Sequence, residues 1–204
     1  MTAPAPISVD GVSKRYETPS GPVPAVEGVS LTVRPREFVS LLGPSGCGKS
    51  TVLGMIGGLV RPDSGRILID GEPVVGPNPK KVALVFQDAG LFPWRTALDT
   101  PILLMDEPFG ALDEQTRLLM GEWLVGVRRR TERTIVFVTH SLHEAIALSD
   151  RIAVMTARPG RIKDVIEVPL PYPRALDETA AVDLHAKLWA QVREESLRAM
   201  EGQS

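Results

Sequence analysis

Two stretches of this sequence carry residues of the right type and spacing for phosphate chemistry. The first is GPSGCGKS, residues 43–50. It fits the pattern Gly-x4-Gly-Lys-Ser/Thr, and it lies between an apolar, strand-like run and a helix-like run. Gly46 and Gly48 let the backbone turn its N–H groups toward an anion with no Cβ in the way. The following helix points its N-terminus at the same spot. Lys49 adds a positive charge for β- and γ-phosphates, and Ser50 a hydroxyl for Mg2+. Two fixed glycines alone arise by chance in about 0.5% of windows at average usage; the added Lys, Ser and strand–helix context make a chance turn remote. Cys47 fills an unspecified position of the pattern and reads as a small tolerated residue rather than a redox switch.

The second stretch is LDTPILLMDEPFGALD, residues 98–113. Asp106 ends an apolar run, where a carboxylate is poorly solvated unless it faces a cation. Beside a phosphate-binding loop it can hold Mg2+, usually through water. Glu107 can then polarise an attacking water as general base. A bland reading makes the pair a helix N-cap with an acidic first turn. Taken with the phosphate loop, the catalytic reading is favoured. Gln87 closes VALVFQ and His140 closes TIVFVTH. Gln87 can reach Mg2+ or the water, and His140 a γ-phosphate; strand-end capping is the alternative for each. Three strands bringing polar tips toward one edge favour a shared site, because ligands of open α/β sheets bind beyond the carboxyl ends of the strands.

These residues need a frame to position them. Apolar runs in VSLL, VALVF and TIVFV predict strands buried on both faces, the mark of a parallel sheet between helices. Strands are expected over 7–16, 25–33, 36–43, 81–87, 101–106, 134–140 and 150–155, with a hairpin around Asp70-Gly71 and a last strand starting at Ile162. Helices are expected over 51–60, 114–130 and 141–149. In 114–130, Leu118, Leu119, Trp123, Leu124 and Val127 recur at helical spacing. The segment from Asp177 onward reads as a helix packed through Val182, His185, Leu188, Trp189 and Val192.

The bulk numbers exclude some classes. The chain has 204 residues, 43% hydrophobic and 24% charged, as in ordinary globular domains. A net charge of −2 and a pI of 6.0 argue against nucleic-acid or membrane binding through bulk charge. The lone Cys47 forms no internal disulfide and fits a reducing compartment. No signal peptide is expected at the start. TVLGMIGGLV is too short to cross a bilayer, so any membrane contact is expected through a partner.

The chain resembles the ATP-binding subunit of an ABC transporter. GPSGCGKST resembles Walker A, ILLMDE Walker B with its glutamate, FGALD the D-loop and FVTH the switch histidine; VFQDAGLFPW looks like the Q-loop stretch. VFVTHSLHEAIALSDRIAVM and ARPGRI resemble the nitrate/sulfonate/taurine importer branch. The resemblance covers two blocks, roughly 7–98 and 101–170. It implies a P-loop NTPase core, α/β, with a mostly parallel sheet flanked by helices and an N-terminal antiparallel β subdomain. It places Tyr16 on the adenine of ATP and Gly43, Pro44, Ser45, Gly46, Cys47, Gly48, Lys49, Ser50 and Thr51 around the phosphates. Ser50, Gln87 and Asp106 would serve Mg2+, Glu107 the water, and His140 the γ-phosphate. Asp113 would contact a second ATP-binding subunit, in a homodimer or with an intact homologue. The pair would sit under transmembrane permease subunits, peripheral on the cytoplasmic face of the inner (plasma) membrane. An extracytoplasmic substrate-binding protein would deliver the substrate, and no nucleic acid is expected.

The chain departs from that family between Gln87 and Asp106. No LSGGQ-like signature stands there, and the helical subdomain around it is absent. Residues 88–101 must link two parallel strands, and at about 3.3 Å each they could span on the order of 45 Å. The expected organisation is one ATP-binding domain over 1–204, shortened near 98–101, with a helical tail over 171–204. Each site is expected to lack the donors a partner's signature supplies, so hydrolysis by the chain alone should be weak. One sheet face should also be partly uncovered. The alternatives are a nucleotide-binding subunit that does not hydrolyse, and a soluble ATPase acting on nucleic acid, which the acidic pI disfavours.

Overall fold

The computed structural model of the chain describes residues 5–86 and 100–201. Gln87 and the rest of the connection up to Asp99 lie outside the described residues. Two sheets form because two kinds of strand occur. Strands β1 (Ile7–Thr18), β2 (Gly21–Val33) and β4 (Ser64–Ile69) bury residues on one side and expose the other. Ile7, Val9 and Val12 of β1 point inward, as do Val29, Leu31 and Val33 of β2. With the short β5 (Glu72–Pro73) they make an antiparallel sheet in the order β2-β1-β4-β5. The β4–β5 turn is the expected hairpin; Asp70 and Gly71 both take positive φ, as a tight two-residue turn needs.

The second sheet has the order β10-β9-β3-β8-β7-β6. It comprises β3 (Phe38–Leu42), β6 (Val82–Val85), β7 (Ile102–Asp106), β8 (Thr134–Thr139), β9 (Arg151–Met155) and β10 (Ile162–Glu167). All neighbours are parallel except β9 and β10. Every residue of β3 and β8 is buried. Helices cover both faces: α1 (Lys49–Ile56) on one, α2 (Glu114–Thr131) and α3 (Leu142–Leu148) on the other, with α4 (Thr179–Glu201) against α3. The two faces of β8 belong to different cores. Val136 and Val138 pack with Leu53, Ile56 and the antiparallel sheet, while Ile135 and Phe137 pack with Phe38, Phe109 and Leu124. β7 pairs with β6 in parallel register from Val82↔Ile102 onward, so the short connection does close.

Several boundaries and faces differ from the sequence reading. The first two strands run to Thr18 and start again at Gly21, absorbing most of the Pro/Gly-rich link. α1 starts at Lys49 and stops at Ile56, where Gly57 caps it and Gly58 takes a positive φ. β6 is an edge strand, so Val82, Ala83 and Leu84 are half-buried and Phe86 is 51% exposed, unlike the two-sided burial expected of VALVF. In α2 the inward face runs through Met120, Gly121, Leu124 and Val125, which turns Leu118 and Leu119 outward. In α4 it runs through Ala181, Leu188, Val192 and Glu195, which leaves Val182 and Trp189 exposed.

Candidate functional site

Parallel β3, β8 and β7 end at one edge of the sheet, and each continues into a candidate residue. After β3 comes the loop Gly43–Gly48. Gly46 and Gly48 have φ of 73° and 101°, a region costly for any residue with a Cβ. A Cβ on Gly48 would also lie 2.4 Å from Val26 Cγ1, so the loop is pressed against β2. The first helical bond of α1 runs from Val52 N–H to Gly48 O, so the N–H groups of Gly48 to Thr51 precede the helical ladder. The first turn holds no acidic residue. Lys49 is buried and its Nζ donates to Gly43 O at 2.8 Å and Pro44 O at 3.0 Å, which holds a cation inside the loop. The Cys47 thiol is buried, and burial pushes its pKa up, away from the thiolate form that reactive cysteines need.

Asp106 at the tip of β7 faces the loop: Ser50 Oγ donates to its Oδ1 at 3.1 Å. Burial raises the Asp106 pKa, and the neighbouring Glu107 charge adds to the rise; the Ser50 bond and the Lys49 charge oppose it. A hydroxyl and a carboxylate in contact beside a phosphate-binding loop are the oxygen donors Mg2+ takes from protein while phosphates and water supply the rest, so the residues fit Mg-ATP. Glu107 adopts φ 45°, and its N–H donates to Val138 O at 3.0 Å. That strained backbone turns its carboxylate to the neighbouring strand tip. There Oε2 meets His140 Nδ1 at 3.0 Å. Neither acid caps a helix. The cap of α2 is Asp113, which accepts from Thr116 N at 2.9 Å and Thr116 Oγ1 at 2.7 Å. Nor does His140 cap α3; Ser141 does. Tyr16, near the end of β1, is 41% exposed with its hydroxyl 3.5 Å from Thr51 Oγ1, beside the same loop. Gln87 lies outside the described residues.

Two contacts were not foreseen. Glu144 of α3 takes a bond from Thr139 Oγ1 at 2.6 Å, and burial raises its pKa. Arg158, in the segment ARPGRI, donates from Nε to Gly46 O at 3.1 Å. No local spacing announces this, because the two residues are far apart in sequence.

The family model for ABC transporters matches residues 26–157. An ATP-binding protein of Brucella melitensis biotype 1 is 39% identical over 202 residues, covering 82% of this chain and 83% of its own. The chain belongs to the ABC transporter family. The ABC domain is also 34% identical over 239 residues to an aliphatic sulfonates import ATP-binding protein of Bacillus cereus, covering 91% of this chain and 95% of that one. An ABC transporter ATP-binding protein of Methanocaldococcus jannaschii is 32% identical over 251 residues, with 95% and 94% covered. Those two alignments run over more positions than the 204 residues of this chain, so part of each relative faces no residue here. A solved ATP-binding cassette, a dimer in a post-hydrolysis state bound to ADP and Pi, superposes with a TM-score of 0.68 at 22% identity, covering 79% of this chain and 98% of that one. The fold is therefore that of an ABC ATPase. By these relationships the chain carries an ATPase domain, and among the described residues no helix is long and apolar enough to cross a membrane.

Proposed function

We propose that this chain binds Mg-ATP on the loop Gly43–Thr51 and is the energy-coupling subunit of an importer for nitrate-, sulfonate- or taurine-like substrates. The observation that carries the reading is the Ser50–Asp106 contact at 3.1 Å, with the Glu107–His140 pair at the adjacent strand tip. Tyr16 stacks on the adenine, and Lys49 leaves the loop carbonyls for the β- and γ-phosphates. Ser50, Asp106 and Gln87 would hold Mg2+, which would supply positive charge against the phosphates. Glu107 accepts the proton of the attacking water; His140 fixes the carboxylate's direction and faces the γ-phosphate. The sulfonate-import relative supports the importer branch, and the dimeric cassette supports pairing with a second ATP-binding subunit through Asp113. Transmembrane permease subunits, supplied through an extracytoplasmic substrate-binding protein, would anchor the pair to the cytoplasmic membrane face.

The reading includes an impairment. We infer one ATP-binding domain over 1–204 with a tail over 171–204, shortened near 98–101, without the signature and helical subdomain. The sequence between Gln87 and Asp106 and the over-length alignments with relatives support this. A homodimer then lacks the donors that close each site, so hydrolysis by the chain alone is weak. A nucleotide-binding, hydrolysis-incompetent regulatory subunit is the second reading, favoured by the same short link.

The test combines fluorescent-nucleotide binding with phosphate release. Lys49→Ala should abolish Mg-ATP binding. Glu107→Gln should keep binding and remove the residual phosphate release. Adding an intact homologue should raise release; no rise favours the regulatory subunit. Turnover by the chain alone matching intact relatives, and lost in Glu107→Gln, would overturn the impairment.

A further inference from the structure

The turn after β9 reaches three elements at once. Arg158 Nε donates to Gly46 O at 3.1 Å. A Cβ on Gly160 would sit 1.9 Å from Cys47 O, so the turn's backbone lies directly on the phosphate loop, and only glycine permits that approach. Gly160 N–H donates to Ala25 O at 2.9 Å and Glu27 N–H to Gly160 O at 3.0 Å, which ties the turn to β2. Arg161 Nη2 meets Glu27 Oε2 at 2.8 Å across the same seam. Thr156 Oγ1 donates to Pro159 O at 3.1 Å and accepts from Arg161 N at 3.0 Å, so the turn is also braced internally.

Its other end is held by the C-terminal helix. Glu195 of α4 is 1% exposed. Its Oε2 accepts from Ala157 N–H at 3.0 Å, one residue before Arg158. Its Oε1 accepts from Lys163 Nζ at 2.6 Å and Arg198 Nη1 at 3.1 Å, so the buried charge is paired. Two hydrogen bonds on adjacent residues thus connect α4 to the loop, one from Ala157 to Glu195 and one from Arg158 to Gly46.

We propose that the turn Thr156–Arg161 braces the phosphate-binding loop from its outer side, with Arg158 as a positioning residue, and couples the seating of α4 to nucleotide affinity through Glu195. The proposal rests on the Mg-ATP reading of that loop. Arg158 holds a carbonyl of the loop and so keeps the left-handed Gly46 in place. It acts through the loop, and ADP and ATP should gain equally from it.

The experiment measures ADP and Mg-ATP affinity in the full chain by calorimetry, with Tm as a fold control. Arg158→Ala should weaken both nucleotides by about threefold to tenfold, the range for one charge-assisted hydrogen bond at an exposed site. Tm should stay close to wild type, and Arg158→Lys should recover part of the affinity. Glu195→Ala should weaken both nucleotides as well, and adding it to Arg158→Ala should produce little further loss. Additive losses would overturn the coupling, and unchanged affinity in Arg158→Ala would overturn the brace. A loss confined to ATP would also overturn it, by placing the guanidinium on the γ-phosphate. Lys49→Ala separates the two readings. If it leaves binding intact, the loop is not the nucleotide site; if it abolishes binding while Arg158→Ala does not, the brace alone fails.

Discussion

Asp106, proposed above to hold Mg2+, opposes the stability of its own fold when ionised. Its folded pKa lies above the ordinary carboxylate value because burial disfavours the charge and Glu107 repels it. A raised folded pKa means the native state holds the proton more tightly than the unfolded chain. That stabilisation is present at low pH and is lost as pH rises through the folded pKa, so at neutral pH the ionised Asp106 works against folding. Asp106→Asn is therefore expected to raise Tm at pH 7 without nucleotide or Mg2+. The gain should vanish as pH falls below the carboxylate range, where the wild-type group is already neutral. Thermal melts across pH check this, and the same variant should lose the Mg2+ dependence of ATP binding. Asp113 behaves oppositely. Hydrogen bonds from the Thr116 backbone and side chain hold its pKa down, so its contribution is present above the ordinary value and lost on acidification. Any contact it makes to a second subunit must compete with that cap.

Helix α2 is anchored through a narrow inward face on which Leu124 is the fully buried side chain. Leu124 is fully buried among Phe109, Phe137 and Leu148, while Leu118 and Leu119 on the turned-away side are 58% and 66% exposed. Leu124→Ala should cost about 2–5 kcal/mol in urea unfolding, the range for a cavity in a packed core. Leu119→Ala should stay within about 0.5 kcal/mol of wild type. Asp113→Ala should lower the urea midpoint by leaving the Thr116 N–H without its cap. If Leu119→Ala proves the costlier substitution, the inward face of α2 is assigned wrongly.

At the level of the molecule, exposed apolar side chains among the described residues include Leu118 and Leu119 on α2 and Phe86 just after half-buried β6. Exposed apolar side chains of this kind promote association when they gather into a patch. Self-association of the isolated chain in sedimentation velocity is expected to fall in a Leu118→Gln/Leu119→Gln variant, with ATP affinity unchanged because neither residue touches the loop. The molecule also explains why the candidate site residues converge. Parallel β3, β8 and β7 are adjacent in the sheet, so their C-terminal tips lie side by side although Ser50, Asp106 and His140 are dispersed along the chain.

The glycine-rich loop, the two acids at the end of ILLMD, the histidine closing TIVFVTH and the buried strands were legible because each is local. A glycine pattern, an apolar run and a terminal polar residue are short-range physical facts, and the parallel sheet follows from strands apolar on both faces. The hairpin at Asp70-Gly71 was legible for the same reason. Other features have no local signature. Which face of α2 or α4 turns inward depends on what the neighbouring strands offer, so five apolar residues at helical spacing overstated the buried stripe of α2. The edge position of β6 follows from strand order, which apolarity alone does not specify. The left-handed Glu107 and its bond to His140 arise from β7 lying beside β8. The bracing of Gly46 by Arg158 and the burial of Glu195 need residues far apart in the chain brought within hydrogen-bond distance, and only packing of the sheets and helices does that.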